Sequence, residues 1–493
     1  MSASAFSEQG FGATVAALVE RTQQLYREDD VPWVVGYSGG KDSTATLQLV
    51  WTALEGLPAA ERTKPVFVIS TDTLVENPVV AAWVGRSLEV MQKRADELKL
   101  PLTTNRLTPK VSDTFWVNLI GKGYPAPRPK FRWCTERMKI NPSNTFIREV
   151  VTEHGEAILV LGIRKAESTV RARAMERQEK TRVRDLLSPN ASLPNSLVYS
   201  PIEDWSNDDV WTFLMQQPNP WGYDNKDLLS MYQGASEDGE CPLVVDSSTP
   251  SCGDSRFGCW TCTLVEKDKS MAAMIQNDEE KEWMLPLLEL RNRLDVSDDR
   301  DKRDFRRING RVQLHGDRLI HGPYTQASRE DWLRELLQAQ RHIRENAPED
   351  VRDTQLISED ELREIRRIWV VDKHEFEDRL PVVYEEAMGE PFPDESLAPH
   401  LPLGADELGE LRDLCDGDLH YQLVRDLIDV ERQQKLSLKR RDLLDQLEGT
   451  LERHFYEDAE DALDLAHRRR RRKQVDEALP EDYVQPVASG AKE

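Results

Sequence analysis

Seven residues near the start of the chain, Ser38-Gly39-Gly40-Lys41-Asp42-Ser43-Thr44, combine what a phosphate chain requires of a protein. Two adjacent glycines let the backbone turn tightly and come close to a ligand. Lys41 brings positive charge, and Ser43 and Thr44 bring hydroxyl donors. The apolar run Val34-Val35-Gly36-Tyr37 has the character of a buried strand, and Ala45-Thr46-Leu47-Gln48-Leu49-Val50 fits the opening turns of a helix. A loop that joins a strand end to a helix start presents free N–H groups and the positive end of the helix dipole, a seat for anions. The order of residues is not that of the Gly-x-x-x-x-Gly-Lys-Ser/Thr loop, whose glycines are separated.

Further residues able to do chemistry follow at intervals. In Thr71-Asp72-Thr73-Leu74-Val75-Glu76-Asn77-Pro78, Asp72 and Glu76 stand just past a strand end, where contacts to a nucleotide or Mg²⁺ are made. Asp72 would equally cap the next turn. Phe131-Arg132-Trp133-Cys134-Thr135-Glu136-Arg137-Met138-Lys139 groups a cysteine with cations. Arg132 and Lys139 suit phosphate neutralisation. Cys134 is either a reactive thiolate or a buried core cysteine. In Leu161-Gly162-Ile163-Arg164, Gly162 is expected to admit a ligand and Arg164 to stabilise charge on a transferring phosphoryl group. Arg164 to Arg184 holds eight arginines and lysines, the best candidate surface for a polyanion in so acidic a chain. Cys241, Cys252, Cys259 and Cys262 fall within 22 residues, spaced x10, x6 and x2. Four thiolates so placed suit an iron–sulfur cluster or a structural zinc, and spacing alone does not choose.

These residues need a scaffold to converge. Helices are expected over residues 11–28 and 79–98, and strands over 65–70, 102–107 and 157–162. Alternation of strands and helices predicts an α/β fold, a parallel sheet with helices on both faces and ligands at the carboxyl ends of the strands. Pro201-Ile202-Glu203-Asp204-Trp205 leads into a helix capped at Ser206 or Asn207. Residues 183–200 read as loop, and 219–265 show little periodicity. The expected organisation is a nucleotide domain over 1–235, a Cys-rich segment over 236–275 and a charged helical region over 276–400. A helical hairpin or coiled coil over 401–475, with Leu419, Leu423, Leu427, Leu444, Leu447 and Leu451 at helical spacing, and a disordered tail over 476–493 complete it.

Composition narrows the classes. The net charge of −24 argues against a generic nucleic-acid coat, yet local basic stretches such as Arg468–Lys473 keep nucleic acid open. No apolar run is long enough for a bilayer and no secretory signal is visible, so a cytoplasmic protein with no membrane contact is expected. There, six cysteines are poor candidates for structural disulfides.

Taken together, the Ser38–Thr44 loop, the Asp-Thr-x-x-Glu-x-Pro stretch, Arg-Trp-Cys-Thr, Gly-x-Arg-x-x-Glu-Ser and Pro-Ile-x-Asp-Trp resemble the phosphoadenylylsulfate (PAPS) reductase family over about residues 30–215. The loop resembles that of the N-type ATP pyrophosphatases, with their adenine nucleotide alpha hydrolase-like fold. The nucleophile motif Glu-Cys-Gly-Leu-His of the reductases is absent, as is an adjacent cysteine pair. Within the family, the four spaced cysteines and the long helical extension resemble the sulfurtransferases of bacterial DNA phosphorothioation. That resemblance implies ATP, Mg²⁺ and a 4Fe-4S cluster as cofactors. It implies DNA, a cysteine desulfurase (DndA or a housekeeping equivalent), DndD and DndE as partners, and a setting in DNA modification and restriction. The site residues it implies are Ser38–Thr44, Asp72, Arg132, Gly162 and Arg164 for the nucleotide, Lys41, Asp42, Arg164 and the sulfur carrier Cys134 for catalysis, and Cys241, Cys252, Cys259 and Cys262 for the cluster. A reductase, an ATP sulfurylase subunit and a non-catalytic DNA-binding scaffold remain the alternatives.

Overall fold

In this computed structural model, residues 4–190, 192–235, 258–349, 351–394, 403–435 and 443–478 are described. The sheet is built from β1 (Trp33–Gly36), β2 (Val66–Thr71), β3 (Leu102–Leu107), β4 (Ala157–Val160), β5 (Ser188–Pro189) and β6 (Ser196–Tyr199), in the order β3-β2-β1-β4-β6-β5. All neighbours are parallel except β5, which runs antiparallel to β6. Around the sheet run α1 (Phe11–Arg27), α2 (Lys41–Glu55), α3 (Pro78–Glu97), α4 (Asn141–His154), α5 (Thr169–Glu179), α6 (Asn207–Gln216) and α7 (Asn225–Gly234). The chain leaves β1 for β2 and β3 on one side, then returns to place β4 on the other. The switch point therefore lies between the carboxyl ends of β1 and β4, where open parallel sheets bind ligands.

The central strands are buried on both faces, which is why they read as unbroken apolar runs. Trp33 and Val35 pack with Leu47, Trp51, Val68 and Ile158 on one face. Val34 packs with Ile69, Ile147, Val150 and Leu159 on the other. The segment read as loop over 183–200 contains β5 and β6; their two and four residues are too short to set a period against the flanking prolines and asparagines. Helix α7 likewise interrupts the stretch expected to lack periodicity, capped by the Asp224 side chain on the Lys226 N–H.

The remaining described residues are mainly helical: α8 (Lys269–Asn277), α9 (Leu285–Leu294), α10 (Gln326–Asn346), α11 (Glu359–Arg367), α12 (Arg379–Met388), α13 (Ala405–Leu414), α14 (Asp418–Lys435), α15 (Leu443–Arg453) and α16 (Ala459–Ala478), with one short hairpin among them, Leu314–His315 with Arg318–Leu319. No described helix is long and apolar enough to cross a membrane. The chain divides into two compact units: residues 1–116, 126–296 and 336–361, and residues 117–125, 297–335 and 362–493. In the second, Trp332, Leu333, Ile365, Ile368, Trp369, Leu380 and Val383 are buried. Arg329, 2 % exposed, lies over the Trp369 ring and pairs with Glu375, so its charge is compensated inside that core.

One ion cluster there sets a pH dependence. His374 meets Asp426 through Nδ1 at 2.7 Å and Asp429 through Nε2 at 3.0 Å, so its ring is held as the imidazolium. Burial disfavours that charge, but the two aspartates outweigh it and raise the pKa to about 9. Asp426 also faces His454 at 3.7 Å, and Asp429 also accepts from Arg432 at 3.1 Å. A group raised in the folded state contributes its stability fully below its unfolded pKa of ~6.5 and loses it as pH climbs through the folded value. Calorimetry should therefore show the melting temperature falling between pH 7 and pH 10, with His374→Gln removing much of that slope. An identical slope in the variant would refute the assignment.

Candidate nucleotide and sulfur site

The Ser38–Thr44 loop leaves β1 and enters α2 with Gly40 as the residue before the helix, so no side chain caps the first turn. Inside the loop, the Ser43 hydroxyl accepts from the Ser38 N–H at 3.2 Å and donates to the Gly40 carbonyl at 3.0 Å. Gly39 has φ +74°, and a Cβ there would lie 2.4 Å from Val84 of α3, so only glycine fits.

Arg164 follows β4 and is 4 % exposed. Its Nε donates to Asp42 Oδ1 at 2.7 Å and its Nη1 to the Trp205 carbonyl at 3.3 Å. The other Asp42 oxygen faces Lys41 Nζ at 3.2 Å. One carboxylate thus holds two cations at the switch point, one from each side. Gly162 meets a packing demand here. A Cβ on it would stand 2.6 Å from the Asp42 carbonyl oxygen and 2.8 Å from Thr46 Oγ1, so its absence lets β4 close on the first turn of α2. Glu167 Oε1 accepts the Arg164 N–H at 3.0 Å, and its other oxygen binds Arg171.

These residues line a cavity of about 1040 Å³ together with Asp72, Glu76, Arg106, Lys139, Gly162 and Tyr232. Asp72 accepts from Arg106 Nε at 3.0 Å and caps the Leu74 N–H at 2.8 Å. Arg132 is exposed and is not among the lining residues; the cation that its segment contributes is Lys139. Tyr232, from α7, had no signal in the sequence beyond an aromatic in a stretch rich in turn-forming residues. Its hydroxyl accepts the Lys41 backbone N–H at 3.3 Å.

Through Glu76, one wall of the cavity touches a cysteine that does not itself line it. Glu76 Oε1 accepts from Thr73 at 2.9 Å, faces Lys139 Nζ at 3.5 Å and lies 3.6 Å from Cys259 Sγ. The backbone fixes this contact: the Asn77 N–H donates to the Gly258 carbonyl at 3.1 Å, and the Trp260 N–H to Val75 at 2.9 Å. Burial, then the Glu76 carboxylate, pushes the Cys259 thiol up to about 12, with Lys139 opposing. The Cys262 N–H closes a tight turn on the Cys259 carbonyl at 3.1 Å. Arg291, 1 % exposed, pins the far side of that turn through Nε to the Cys262 carbonyl at 3.0 Å and Nη1 to Glu266 at 3.3 Å.

Cys134 is half-buried. Burial pushes its thiol up, the Thr135 hydroxyl lowers it, and the neighbouring Cys262 raises it further. The aromatic chain Trp133–Phe115–Trp116–Trp260, with ring centroids 5.4, 4.9 and 5.7 Å apart, packs the two cysteine segments together. Cys241 and Cys252 lie outside the described residues. Among the described residues no three Cys, His, Asp or Glu side chains are gathered closely enough to hold a metal ion.

Five of the eight cations in Arg164–Arg184 are committed to carboxylates: Arg164 to Asp42, Lys165 to Glu179 and Asp204, Arg171 to Glu167, Arg182 to Glu203, and Arg184 to Asp29 and Glu156. Arg173, Arg177 and Lys180 are exposed and pair with no carboxylate among the described residues.

With this geometry in place, known proteins can be compared. Residues 32–264 match the family model described as phosphoadenosine phosphosulfate reductase domain, and the segment has the corresponding mostly parallel, nucleotide alpha hydrolase-like fold. The match supports the PAPS reductase family for this part of the chain. An uncharacterized protein of Methanocaldococcus jannaschii is 28% identical over 199 residues, 40% of this chain and 34% of that protein. The chain thus spans about a third of the length of that curated relative. Two solved structures are similar at low score. FMN adenylyltransferase of Candida glabrata, in complex with FAD and inorganic pyrophosphate, is 14% identical with TM-score 0.26, covering 48% of this chain and 70% of that one. The U34-tRNA thiolase NcsA of Methanococcus maripaludis, with its 4Fe-4S cluster, is 13% identical with TM-score 0.24, covering 58% and 82%.

Proposed function

We propose that this chain is an ATP-dependent sulfurtransferase that inserts sulfur into the DNA backbone, resembling DndC of the phosphorothioation systems. One observation carries the reading: a single cavity has the Lys41–Asp42–Arg164 constellation in one wall and, in another, Glu76 in contact with Cys259. That adjacency supports reading nucleotide activation and sulfur chemistry as neighbours.

A non-bridging oxygen of a phosphodiester is a poor leaving group. Its attack on the α-phosphorus of ATP releases pyrophosphate and leaves an adenylated phosphate. Sulfur at the sulfide level then attacks the backbone phosphorus, and AMP departs with the oxygen. The N–H groups at the head of α2 and the Lys41 ammonium would bind the departing pyrophosphate. Arg164, aimed by Asp42, would stabilise charge at the α-phosphate, and Mg²⁺, for which the cavity carboxylates Asp72 and Glu76 are the candidate holders, would add neutralising charge. The thiols fit an iron–sulfur site in part. Cys259 and Cys262 share one turn, Cys134 is packed toward them through the Trp133–Trp260 aromatic chain, and Cys252 or Cys241 would complete the set. When bound, a cluster supplies a place to hold sulfide-level sulfur. A cysteine desulfurase is the implied source; its persulfide sulfur is released at the sulfide level when a thiol reductant attacks the inner sulfur and forms a disulfide, and DndD and DndE are proposed partners.

Mass spectrometry of digested host DNA tests the reading: phosphorothioate dinucleotides should be present with the gene and lost on its deletion, and their persistence would overturn it. A reductase would instead release sulfite from added PAPS and thioredoxin. For DNA contact, Arg173 and Arg177 of α5 and Lys180 just past its end are the available cations. Reversing all three to Glu should weaken duplex binding and reduce the slope of log affinity against log salt by about three. An unchanged slope would move the contact to the basic run on α16, where Arg470 donates to the Gly316 carbonyl at 2.8 Å.

A further inference from the structure

Tyr232 reaches the loop from α7, a helix outside every motif that marks the nucleotide site. It is 7 % exposed, its ring stands edge-on to Trp211 with centroids 5.1 Å apart, and Lys41 Nζ lies 5.6 Å from its centroid. A Cβ on Gly40 would be 3.3 Å from its hydroxyl, so the oxygen is held directly at the head of α2. The N–H it accepts, that of Lys41, belongs to the first helical turn and has no partner within the helix. A side-chain cap or an anion ordinarily takes such a donor. Gly40 at the cap position has no side chain to offer, and the phenol oxygen takes the place.

We propose that Tyr232 is a phosphate-binding residue of this site: its hydroxyl stands beside the seat of a phosphoryl oxygen at the head of α2. With pyrophosphate or the phosphate chain of ATP in the loop, the Lys41 N–H turns to the phosphate and the Tyr232 O–H donates to it. The proposal rests on the nucleotide reading of the cavity. Burial pushes the phenol pKa up, so the group stays an O–H donor throughout the neutral range. Tyr232 thus adds a donor from a helix that the loop sequence does not encode, and it favours ligands that place an anionic oxygen at the head of α2.

Tyr232→Phe is the test, because it keeps the ring against Trp211 and removes only the oxygen. Titration calorimetry on the full chain with ATP, and separately with inorganic pyrophosphate, should show both binding about tenfold more weakly in the variant, the loss expected for one hydrogen bond to a charged group. Unchanged or tighter binding overturns the proposal and leaves the hydroxyl as a helix cap. Should the variant also melt well below the wild type, Trp211→Phe decides, since it loosens the ring's support and keeps the hydroxyl. Equal losses of affinity in both variants overturn the proposal, and a loss confined to Tyr232→Phe supports it. Wild-type protein that binds neither ATP nor pyrophosphate overturns the nucleotide reading and this inference with it, whereas a binding wild type with an unaffected variant overturns this inference alone.

Discussion

Lys41→Ala and Asp42→Ala are each expected to lower the cleavage of ATP to AMP and pyrophosphate by at least about a hundredfold, the scale of losing a preorganised charge in a phosphoryl-transfer site. The two losses have different physical origins. Lys41 is held by Asp42 at 3.2 Å and packs beside Tyr232 at the cavity wall, so removing it takes away charge while leaving the buried structure in place. Its variant should melt close to the wild type. Asp42 is the partner of a guanidinium that is only 4 % exposed, and without it Arg164 keeps the Trp205 carbonyl alone. A buried charge stripped of its partner costs about 3–5 kcal/mol, so Asp42→Ala should be inactive and also clearly less stable. Asp42→Asn keeps the shape and one acceptor oxygen. It should recover part of the stability while staying slow, because a neutral amide no longer fixes both cations. Pyrophosphate release and thermal melts on the three variants check this pattern. Full pyrophosphate release by Lys41→Ala or Asp42→Ala would mean that this loop is not where ATP is cut.

Much of the fold was legible because burial on both faces of a parallel sheet leaves continuous apolar strands, as in β1, β2 and β4. The edge strand β3, Leu102–Leu107, is mixed in polarity yet still readable from its flanking turns. What escaped reading was short or disguised. β5 and β6 lie among Pro189, Asn190, Pro194 and Asn195, which are loop signals in isolation. Helix α7 sits inside a stretch whose Gly, Pro, Ser and Asp content hid the spacing of Leu228 and Tyr232. The candidate site shows the same division. Lys41, Asp42 and Arg164 converge because a local motif places each at a strand end beside the switch point. Gly162 lines the cavity, and the nearest atoms to its missing Cβ belong to α2, a packing demand that only the tertiary structure shows. Asp72 and Glu76 line the cavity already engaged, the first by Arg106 and the second by Thr73, Lys139 and Cys259. Pairings of this kind join residues far apart in the chain, so no spacing rule announces them.

Cys262→Ser and Cys134→Ser are both expected to strip the protein of its metal, whereas Cys415→Ser is not. The sequence grouped Cys259 and Cys262 with Cys241 and Cys252 and left Cys134 as a sulfur carrier. The structure links the segments of Cys134 and Cys262 through the aromatic chain from Trp133 to Trp260, and the charge of one thiol is felt at the other. A metal ligand and a sulfur carrier predict different outcomes for Cys134→Ser. Loss of a ligand lowers metal content along with activity, while loss of a carrier leaves metal content and spectrum unchanged. Cys415 follows α13 in the other compact unit and serves as the control. Comparing Cys241→Ser with Cys252→Ser then identifies the remaining ligand, because the one outside the site should keep its metal. Protein purified without oxygen should be brown, with the broad visible absorbance of thiolate-ligated iron. The Cys262→Ser variant should also loosen the 258–265 turn, leaving it to the Arg291 contacts and the packing of Trp260 on Trp116. Faster amide exchange there would record that loosening. Colourless anaerobic protein carrying one stoichiometric zinc would refute the iron–sulfur assignment and leave a structural thiolate site in its place.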